Sequence, residues 1–152
     1  MLTNRAKYAI KALLHLARRR GQGPVQASVI AEAEQIPHKF LEVILTQLRN
    51  RGVIRSKVGK GGGHELVNDP ADIDLLTVMR AIDGPVAPLP CLSHTAYVRC
   101  DDCADEATCG ARMLLMRAHE IQVKELSRTT LGDALTSEPQ GQTARRRQRK
   151  QH

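Results

Sequence analysis

The chain has 152 residues and carries 23 Lys and Arg against 16 Asp and Glu, a formal net charge of +7. This length suits one domain with an arm or tail, and one Phe, two Tyr and no Trp require an aliphatic core. No apolar run reaches the roughly 18 residues of a membrane span, and the N-terminus lacks the apolar region of a secretory signal. We therefore expect a mainly α, cytoplasmic protein with no membrane partner.

The charge is unevenly distributed along the chain. Residues 1–70 carry 12 Lys and Arg against 5 Asp and Glu, residues 71–135 carry 6 against 10, and residues 136–152 carry 5 against 1. A basic first half favours contact with a polyanion such as nucleic acid. A solvated cationic surface accounts for the same charge, so charge alone leaves both interpretations open.

Three helices are predicted in the first third of the chain. An apolar stripe predicts a helix over 3–19, "QASVIAEAE" predicts a short one over 26–34, and Pro37 favours the start of a third that runs to residue 50. The third helix is expected to bury five apolar side chains, Phe40, Leu41, Ile44, Leu45 and Leu48. Its outward side carries five polar candidates for DNA contact, His38, Lys39, Glu42, Thr46 and Arg49.

A two-stranded hairpin is predicted next, because β-like stretches at 53–57 and 64–67 flank the glycine-rich "GKGGG". Two helices, a tight turn, a third helix and a hairpin follow one another in the order of a winged helix-turn-helix, whose last helix enters the major groove. We expect the hairpin to form the wing. It offers four candidate DNA contacts, Lys57, Lys60, Gly61 and Gly62, as phosphate-binding cations and as backbone that approaches closely.

The second half of the chain contains two more predicted helices and the cysteines. Asp72 or Asp74 can cap a helix over "IDLLTVMRAID", and a long helix is expected over 110–128 as the surface for a second copy of the chain. The polar end of the chain is expected to be disordered. The sequence is thus divided into a DNA-binding domain (1–83), a cysteine-rich sensor loop (84–109), a dimerisation helix with its end (110–135) and a basic tail (136–152).

Several segments resemble the IscR/NsrR-type (Rrf-two) family of bacterial transcription regulators. They are "NRAKYAIKALLHLA", "IAEAEQIPHKFLEVILTQLRNRGVIRS", "GKGGGHELVNDPADIDLLTVMRAIDG" and the ending "TTLGDAL", and the similarity covers about residues 1–135. The resemblance implies a homodimeric winged-helix protein that reads a partly palindromic double-stranded operator. It also implies a long helix that crosses between subunits and a cysteine loop that often carries an iron–sulfur cluster.

The resemblance assigns roles to particular residues of the DNA-binding half. Glu42 lies where the family has a base-reading Glu in "YLE", a role that suits acceptance from a cytosine amino group. The wing departs from the family pattern "RGPGGGY", since Val58 replaces the Arg, Lys60 the Pro and His64 the Tyr. The cation is then supplied by Lys57 or Lys60, as a phosphate anchor.

All four cysteines, Cys91, Cys100, Cys103 and Cys109, lie in one segment with the spacing C-x8-C-x2-C-x5-C. Four thiolates can hold an iron–sulfur cluster, [2Fe–2S] or [4Fe–4S], or a tetrahedral zinc ion. A thiol/disulfide switch is the third possibility, and spacing alone does not choose among them.

The family's ligand pattern bears on the extra cysteine. Cluster-binding members generally use three cysteines, which Cys91, Cys103 and Cys109 match. Some members add a His three residues after the last cysteine, here Arg112, and others an acidic residue in the first helix, here Tyr8. The resemblance therefore favours Cys100 as the fourth ligand, and His94 is interpreted as a loop histidine.

An enzyme is the rival class. "CDDC" (100–103) is formally a C-x-x-C redox motif, but no βαβ unit precedes it. Its carboxylate neighbours raise thiol pKa values, which disfavours a reactive thiolate. "GKGGG" lacks the spacing and the following Ser or Thr of a phosphate-binding loop. We therefore predict a DNA-binding regulator and not an enzyme. We expect the regulator to be a repressor that senses redox, iron–sulfur or reactive small-molecule status.

Overall fold

The computed structural model describes residues 3–137. The six helices of this part are α1 (Asn4–Arg18), α2 (Ala27–Glu34), α3 (His38–Asn50), α4 (Leu75–Asp83), α5 (Gly110–Arg128) and α6 (Leu131–Ser137), and its strands are β1 (Ile54–Lys57) and β2 (Gly63–Leu66). Short 3-10 turns lie at Pro70–Asp72 and Pro90–Leu92. Within residues 3–137, no helix has the length and apolar character needed to cross a bilayer. The predicted fold class, a mainly α winged helix with a small hairpin, is confirmed.

The core is built around α1, which packs against α2, α3, α4 and α6. Thr3 caps this helix by accepting a hydrogen bond from the Ala6 backbone N–H at 3.1 Å, and it donates to the Asp83 carboxylate at 2.7 Å, so the start of α1 is tied to the end of α4. Alanines on its buried side let neighbouring helices approach closely, and Leu13 and Leu16 fill the space between them. The predicted stripe of α1 therefore faces the core.

One apolar residue of α3 is not buried as predicted. Leu41, Ile44, Leu45 and Leu48 are at most 1% exposed, but 39% of Phe40 is accessible to solvent. Phe40 lies in the first turn of α3, where α1 covers only part of it. Its ring meets the Tyr8 ring edge-on at 5.8 Å between centroids, so the prediction of a buried Phe40 is wrong.

The turn between α2 and α3 depends on a left-handed residue. Gln35 has φ 55° and ψ 50°, and the next N–H, that of Ile36, returns to the Ala31 carbonyl at 3.0 Å. This closes α2 and reverses the chain within three residues, before α3 begins at His38 with Pro37 as its N-cap. The helix-turn-helix geometry thus rests on a conformation that side chains other than glycine adopt at a cost.

Replacing Gln35 with glycine is expected to raise the free energy of unfolding by about 0.5–1 kcal/mol, because glycine removes the left-handed strain but adds freedom to the unfolded chain. The measurement is the urea midpoint at fixed protein concentration. Glu32→Gly, which lies inside α2 in right-handed conformation, is the matched control and is expected to cost about 1 kcal/mol. Equal losses in the two variants would contradict the role given to the turn.

The wing is an antiparallel hairpin in which Ile54 pairs with Leu66 and Lys57 with Gly63. A Cβ on Gly62 would lie 2.2 Å from the Lys57 carbonyl oxygen, and a Cβ on Gly63 would lie 2.5 Å from the Val25 backbone. Hydrogen bonds between Val25 and His64, at 2.8 and 2.9 Å, join the hairpin to the segment before α2. These two glycines therefore let the wing fold upon itself and dock against the helices.

The chain after α5 returns to the DNA-binding domain. Leu75 N–H donates to the Thr129 carbonyl at 2.9 Å, and Leu131 N–H donates to the Ile73 carbonyl at 3.0 Å. Leu131, 1% exposed, then enters the common core. The end of α5 is thereby fixed beside the start of α4. Most of the "TTLGDAL" segment, from Leu131 onward, lies in helix α6.

The predicted basic tail overlaps this helix by two residues. Thr136 and Ser137 form the last turn of α6, where both hydroxyls donate to the Asp133 carbonyl at 2.8–2.9 Å. The rest of the tail lies outside the described residues.

Candidate functional site

The exposed side of α3 carries the polar residues predicted to contact DNA. His38, Lys39, Glu42, Thr46 and Arg49 are all exposed. His38 and Glu42, one turn apart, approach each other to 3.6 Å between Nδ1 and Oε1. The opposite side of α3 is packed in the core, so the helix can present this polar surface without disturbing the fold.

The wing presents two cations and part of its glycine tip. Lys57, Lys60 and Gly61 are exposed, whereas Gly62 is buried within the hairpin. Val58, at the position where the family pattern has Arg, is 95% exposed. The cations predicted for phosphate contact are therefore available to a ligand, and Gly62 has a clear part in shaping the turn.

His64 of the wing lies close enough to Arg49 of α3 for the two side chains to interact electrostatically, a proximity that the sequence analysis missed. Its Nδ1 lies 2.8 Å from the Ser56 hydroxyl across the hairpin. Partial burial, and secondly the charge of Arg49 at the end of α3, lower the pKa of His64. A neutral imidazole here lets Arg49 and the wing lie close together without repulsion.

The cysteine loop connects α4 to α5, and its four thiols are free. Cys91 is buried in the Pro90–Leu92 turn, whereas Cys100 and Cys103 are half-buried in the middle of the loop. Cys109 is the N-cap of α5, where its Sγ accepts the Arg112 backbone N–H at 3.4 Å. Cys91 thus lies within a short 3-10 turn of the loop, and Cys109 lies at its end, directly before α5.

Two of the thiols are in direct contact. A hydrogen bond with Cys91 is the main cause that raises the pKa of Cys100, and desolvation and the charges of Cys91, Asp102 and Cys103 add to it. The carboxylate effect anticipated from the sequence is present at Asp102, but the neighbouring thiol is the larger cause. Without a metal, Cys100 is therefore a protonated thiol and a poor nucleophile.

Polar side chains hold the middle of the loop. Tyr97 donates a hydrogen bond to Glu106, which raises the pKa of the Tyr97 hydroxyl. Arg99 donates to the Cys103 and Ala104 carbonyls at 3.1 and 3.2 Å. These contacts join Tyr97 and Arg99 to residues 103–106, so the middle of the loop folds back upon itself.

The donor set suits an iron–sulfur cluster or zinc, but this conformation does not complete the site. Among residues 3–137, no three His, Cys, Asp or Glu side chains converge in a way that could hold a metal ion. The Cys91–Cys100 contact provides two adjacent sulfurs, and the backbone N–H on Cys109 is the kind of hydrogen bond that tunes a cluster ligand. A metal held by all four cysteines would therefore need an arrangement of the loop different from this one.

Two histidines beside the loop form a feature that the sequence analysis also missed. His94, interpreted as a loop residue, is exposed and stacks on His119 of α5 with 6.2 Å between ring centroids. His119 is 3% exposed. The signal was present in the inward spacing of Arg112, Met116 and His119, but a helical histidine does not reveal its neighbour in another segment.

An amphipathic helix after a tight turn, joined to a cationic wing, defines a winged-helix regulator that binds DNA. The sequence profile of the Rrf2 family, described as "Iron-dependent Transcriptional regulator", matches residues 2–137. The chain belongs to this family.

Individual relatives agree with this assignment. The chain is 42% identical over 140 residues to a putative HTH-type transcriptional regulator, rrf2-like, of Rhodobacter capsulatus, with 90% of this chain and 93% of the relative covered. It is 30% identical to the HTH-type transcriptional regulator IscR of Vibrio parahaemolyticus, with coverage of 89% and 77%. The structure of CymR, described as the global cysteine regulator of B. subtilis, superposes with a TM-score of 0.74 at 25% identity and covers 91% of this chain and 98% of that one.

Proposed function

We propose that the protein is a homodimeric repressor in the cytoplasm that binds a double-stranded DNA operator under the control of an iron–sulfur cluster, [2Fe–2S] or [4Fe–4S]. The observation that carries this proposal is the position of the four cysteines in one loop between α4, part of the DNA-binding domain, and α5. The family description as iron-dependent regulators supports it. Residues 1–83 would bind DNA, 84–109 would sense, 110–135 would dimerise and 136–152 would add basic charge.

In the proposed complex, the N-terminal half of α3 enters the major groove. Glu42 accepts a hydrogen bond from a cytosine amino group and so contributes to discrimination between sequences. Lys57 and Lys60 bind flanking phosphates, which positions the protein without specifying the sequence. Arg49 of α3 lies near His64 of the wing, so α3 and the wing are close enough to contact one duplex together.

The proposed dimer forms through the outer face of α5. Leu114 and Ile121, two turns apart on this face, are 74% and 60% exposed, and Met113 beside them is 65% exposed. An apolar stripe on a helix favours burial against a partner. A two-fold pairing of this face would set two α3 helices at the spacing of successive major grooves, about 34 Å.

A change in the cysteine loop would affect both the DNA-binding domain, through α4, and the dimerisation helix α5. Cys91 lies eight residues after the end of α4 and its turn packs on α5, while Cys109 caps α5 directly. A cluster supplies redox-active, ligand-exchangeable iron when bound. The four thiolates, Cys91, Cys100, Cys103 and Cys109, would hold it, and the movement that brings them together would shift the start of α5 relative to α4 and thereby alter operator affinity.

A thiol switch is the second candidate, because the Cys91 and Cys100 thiols are already hydrogen-bonded. An oxidant such as a peroxide would join the two sulfurs in a disulfide, taking up two electrons and two protons as it is reduced. Zinc in the same loop is the remaining alternative, and it would give a colourless protein.

The test begins with anaerobic purification, an absorption spectrum and analysis of iron, sulfide and zinc. DNA ligands are then selected from a random-sequence pool, and their affinity is measured for the cluster-loaded and the chelator-treated protein. We expect a brown protein and a change in operator affinity of about tenfold or more, in the range of typical allosteric coupling. A colourless zinc protein would favour the zinc alternative, and equal affinities of the two forms for every selected site would refute the switch.

A further inference from the structure

A small cavity lies between the Pro90–Leu92 turn and the inner side of α5. Its volume is about 200 Å³, somewhat larger than the roughly 150 Å³ cavity that accepts benzene in an engineered protein. Leu92 and Met116 provide apolar walls, and Arg112 and His119 provide polar groups. The space therefore suits a ligand of about the size of a substituted benzene ring.

The polar groups of this cavity have unused hydrogen-bonding atoms. His119 is 3% exposed, and within residues 3–137 its Nδ1 has no hydrogen-bond partner. Nε of Arg112 is also buried and makes no hydrogen bond to the described residues, since the Glu106 carboxylate lies 3.8 Å away. A buried polar atom without a partner is unfavourable, so a ligand that accepts hydrogen bonds from both groups removes this penalty.

The inner end of the cavity has cationic neighbours and one carboxylate, that of Glu120, among its lining residues. Besides burial, the charges of His94 from the loop and Arg80 from α4 lower the pKa of His119, and they outweigh the opposing effect of Glu120 on α5. His119 is therefore held neutral, and in the Nδ1–H tautomer its unpartnered Nδ1 is a hydrogen-bond donor. Arg112 adds a permanent positive charge, and its Nε lies 3.8 Å from the nearest oxygen of the Glu106 carboxylate.

We propose that this cavity is a binding site for a small organic carboxylate with an apolar body. The carboxylate accepts hydrogen bonds from Arg112 Nε–H and His119 Nδ1–H, and the apolar body lies between Leu92 and Met116. An occupant would contact both the Cys91 turn and α5, and would thus restrain the cysteine loop. This last consequence rests on the proposed function, whereas the binding itself does not.

The test uses benzoate as the probe and benzamide as its neutral isostere, titrated into the anaerobically purified full chain by calorimetry without DNA. We expect saturable binding of benzoate with a dissociation constant in the millimolar range or below, and binding of benzamide at least about tenfold weaker. Arg112→Gln is expected to weaken benzoate binding by about tenfold or more. Arg117→Gln, which removes the same charge from the outer side of α5, is expected to leave it unchanged.

Two further variants separate binding from folding of the loop. Met116→Phe fills the cavity with apolar volume and is expected to abolish binding while the melting temperature stays within a few degrees. Glu106→Gln removes the ion partner of Arg112 without touching the cavity and is expected to retain binding. No saturation by about 10 mM benzoate, equal binding of benzamide, or an equal loss in Arg117→Gln would overturn the proposal.

Discussion

The Ile121→Asp variant is expected to be a monomer at micromolar concentrations, where we expect the unmodified protein to be the proposed dimer. Ile121 lies in the centre of the exposed apolar face of α5. An unpaired carboxylate buried in an interface costs about 3 kcal/mol or more, and a two-fold interface contains the change twice, so the dimer dissociation constant should rise by about four orders of magnitude. Sedimentation velocity over a range of concentrations measures this directly.

Gln122→Asp is the matched control, because it adds the same side chain at the next position, outside the apolar face. It is expected to leave the mass of the dimer unchanged. The Ile121→Asp monomer should also lose most of its operator affinity, since each chain then binds one half-site without help from a linked partner. A dimer of undiminished stability in Ile121→Asp would show that another surface joins the subunits.

The Cys100→Ala variant is expected to lose most of its bound iron, to the same extent as Cys91→Ala, Cys103→Ala and Cys109→Ala. In a site with four thiolate ligands, the loss of any one ligand leaves a coordination position of the iron to solvent or to a weaker donor. Iron and sulfide per chain after anaerobic purification, together with the visible absorption, are the measurements. We expect a loss of about tenfold for each variant, larger than a change at a supporting residue produces.

Thr95→Ala serves as the control within the same loop, because Thr95 is exposed and carries no sulfur. It is expected to retain the full iron content. If Cys100→Ala keeps its iron while the other three cysteine variants lose it, the site has three cysteine ligands, and the Cys91–Cys100 contact serves another purpose. Retention of iron by all four variants would mean that the metal is held elsewhere.

The order of the helices and the wing could be predicted from sequence because each depends on local patterns. The spacing of Leu41, Ile44, Leu45 and Leu48 requires one buried side whatever the partner is. The exposure of Phe40 could not be predicted in this way, since it depends on where α1 stops covering α3. The left-handed conformation of Gln35 was equally hidden, because glycine is the residue expected there.

In the candidate site, too, the features that depend on local sequence could be predicted, and those that depend on contacts between distant residues could not. The polar side of α3 and the cysteine set follow from residue type and spacing. The structure exposes the polar side of α3, whereas Cys91 is buried and the other three cysteines are half-buried. The contact of Cys91 with Cys100 and the stacking of His94 on His119 join residues that are 9 and 25 positions apart. Such contacts depend on how the loop folds over α5, which no local periodicity encodes.

The hydrogen bonds from Leu75 to Thr129 and from Leu131 to Ile73 have an evolutionary consequence. These bonds fix the start of α4 beside the end of α5. Residues 84–109 therefore form a connection between two helices whose far ends are already held together. Insertions, deletions and changes of ligand in that connection need not displace the DNA-binding half or α6. Selection can therefore exchange one sensory chemistry for another while the rest of the regulator is kept.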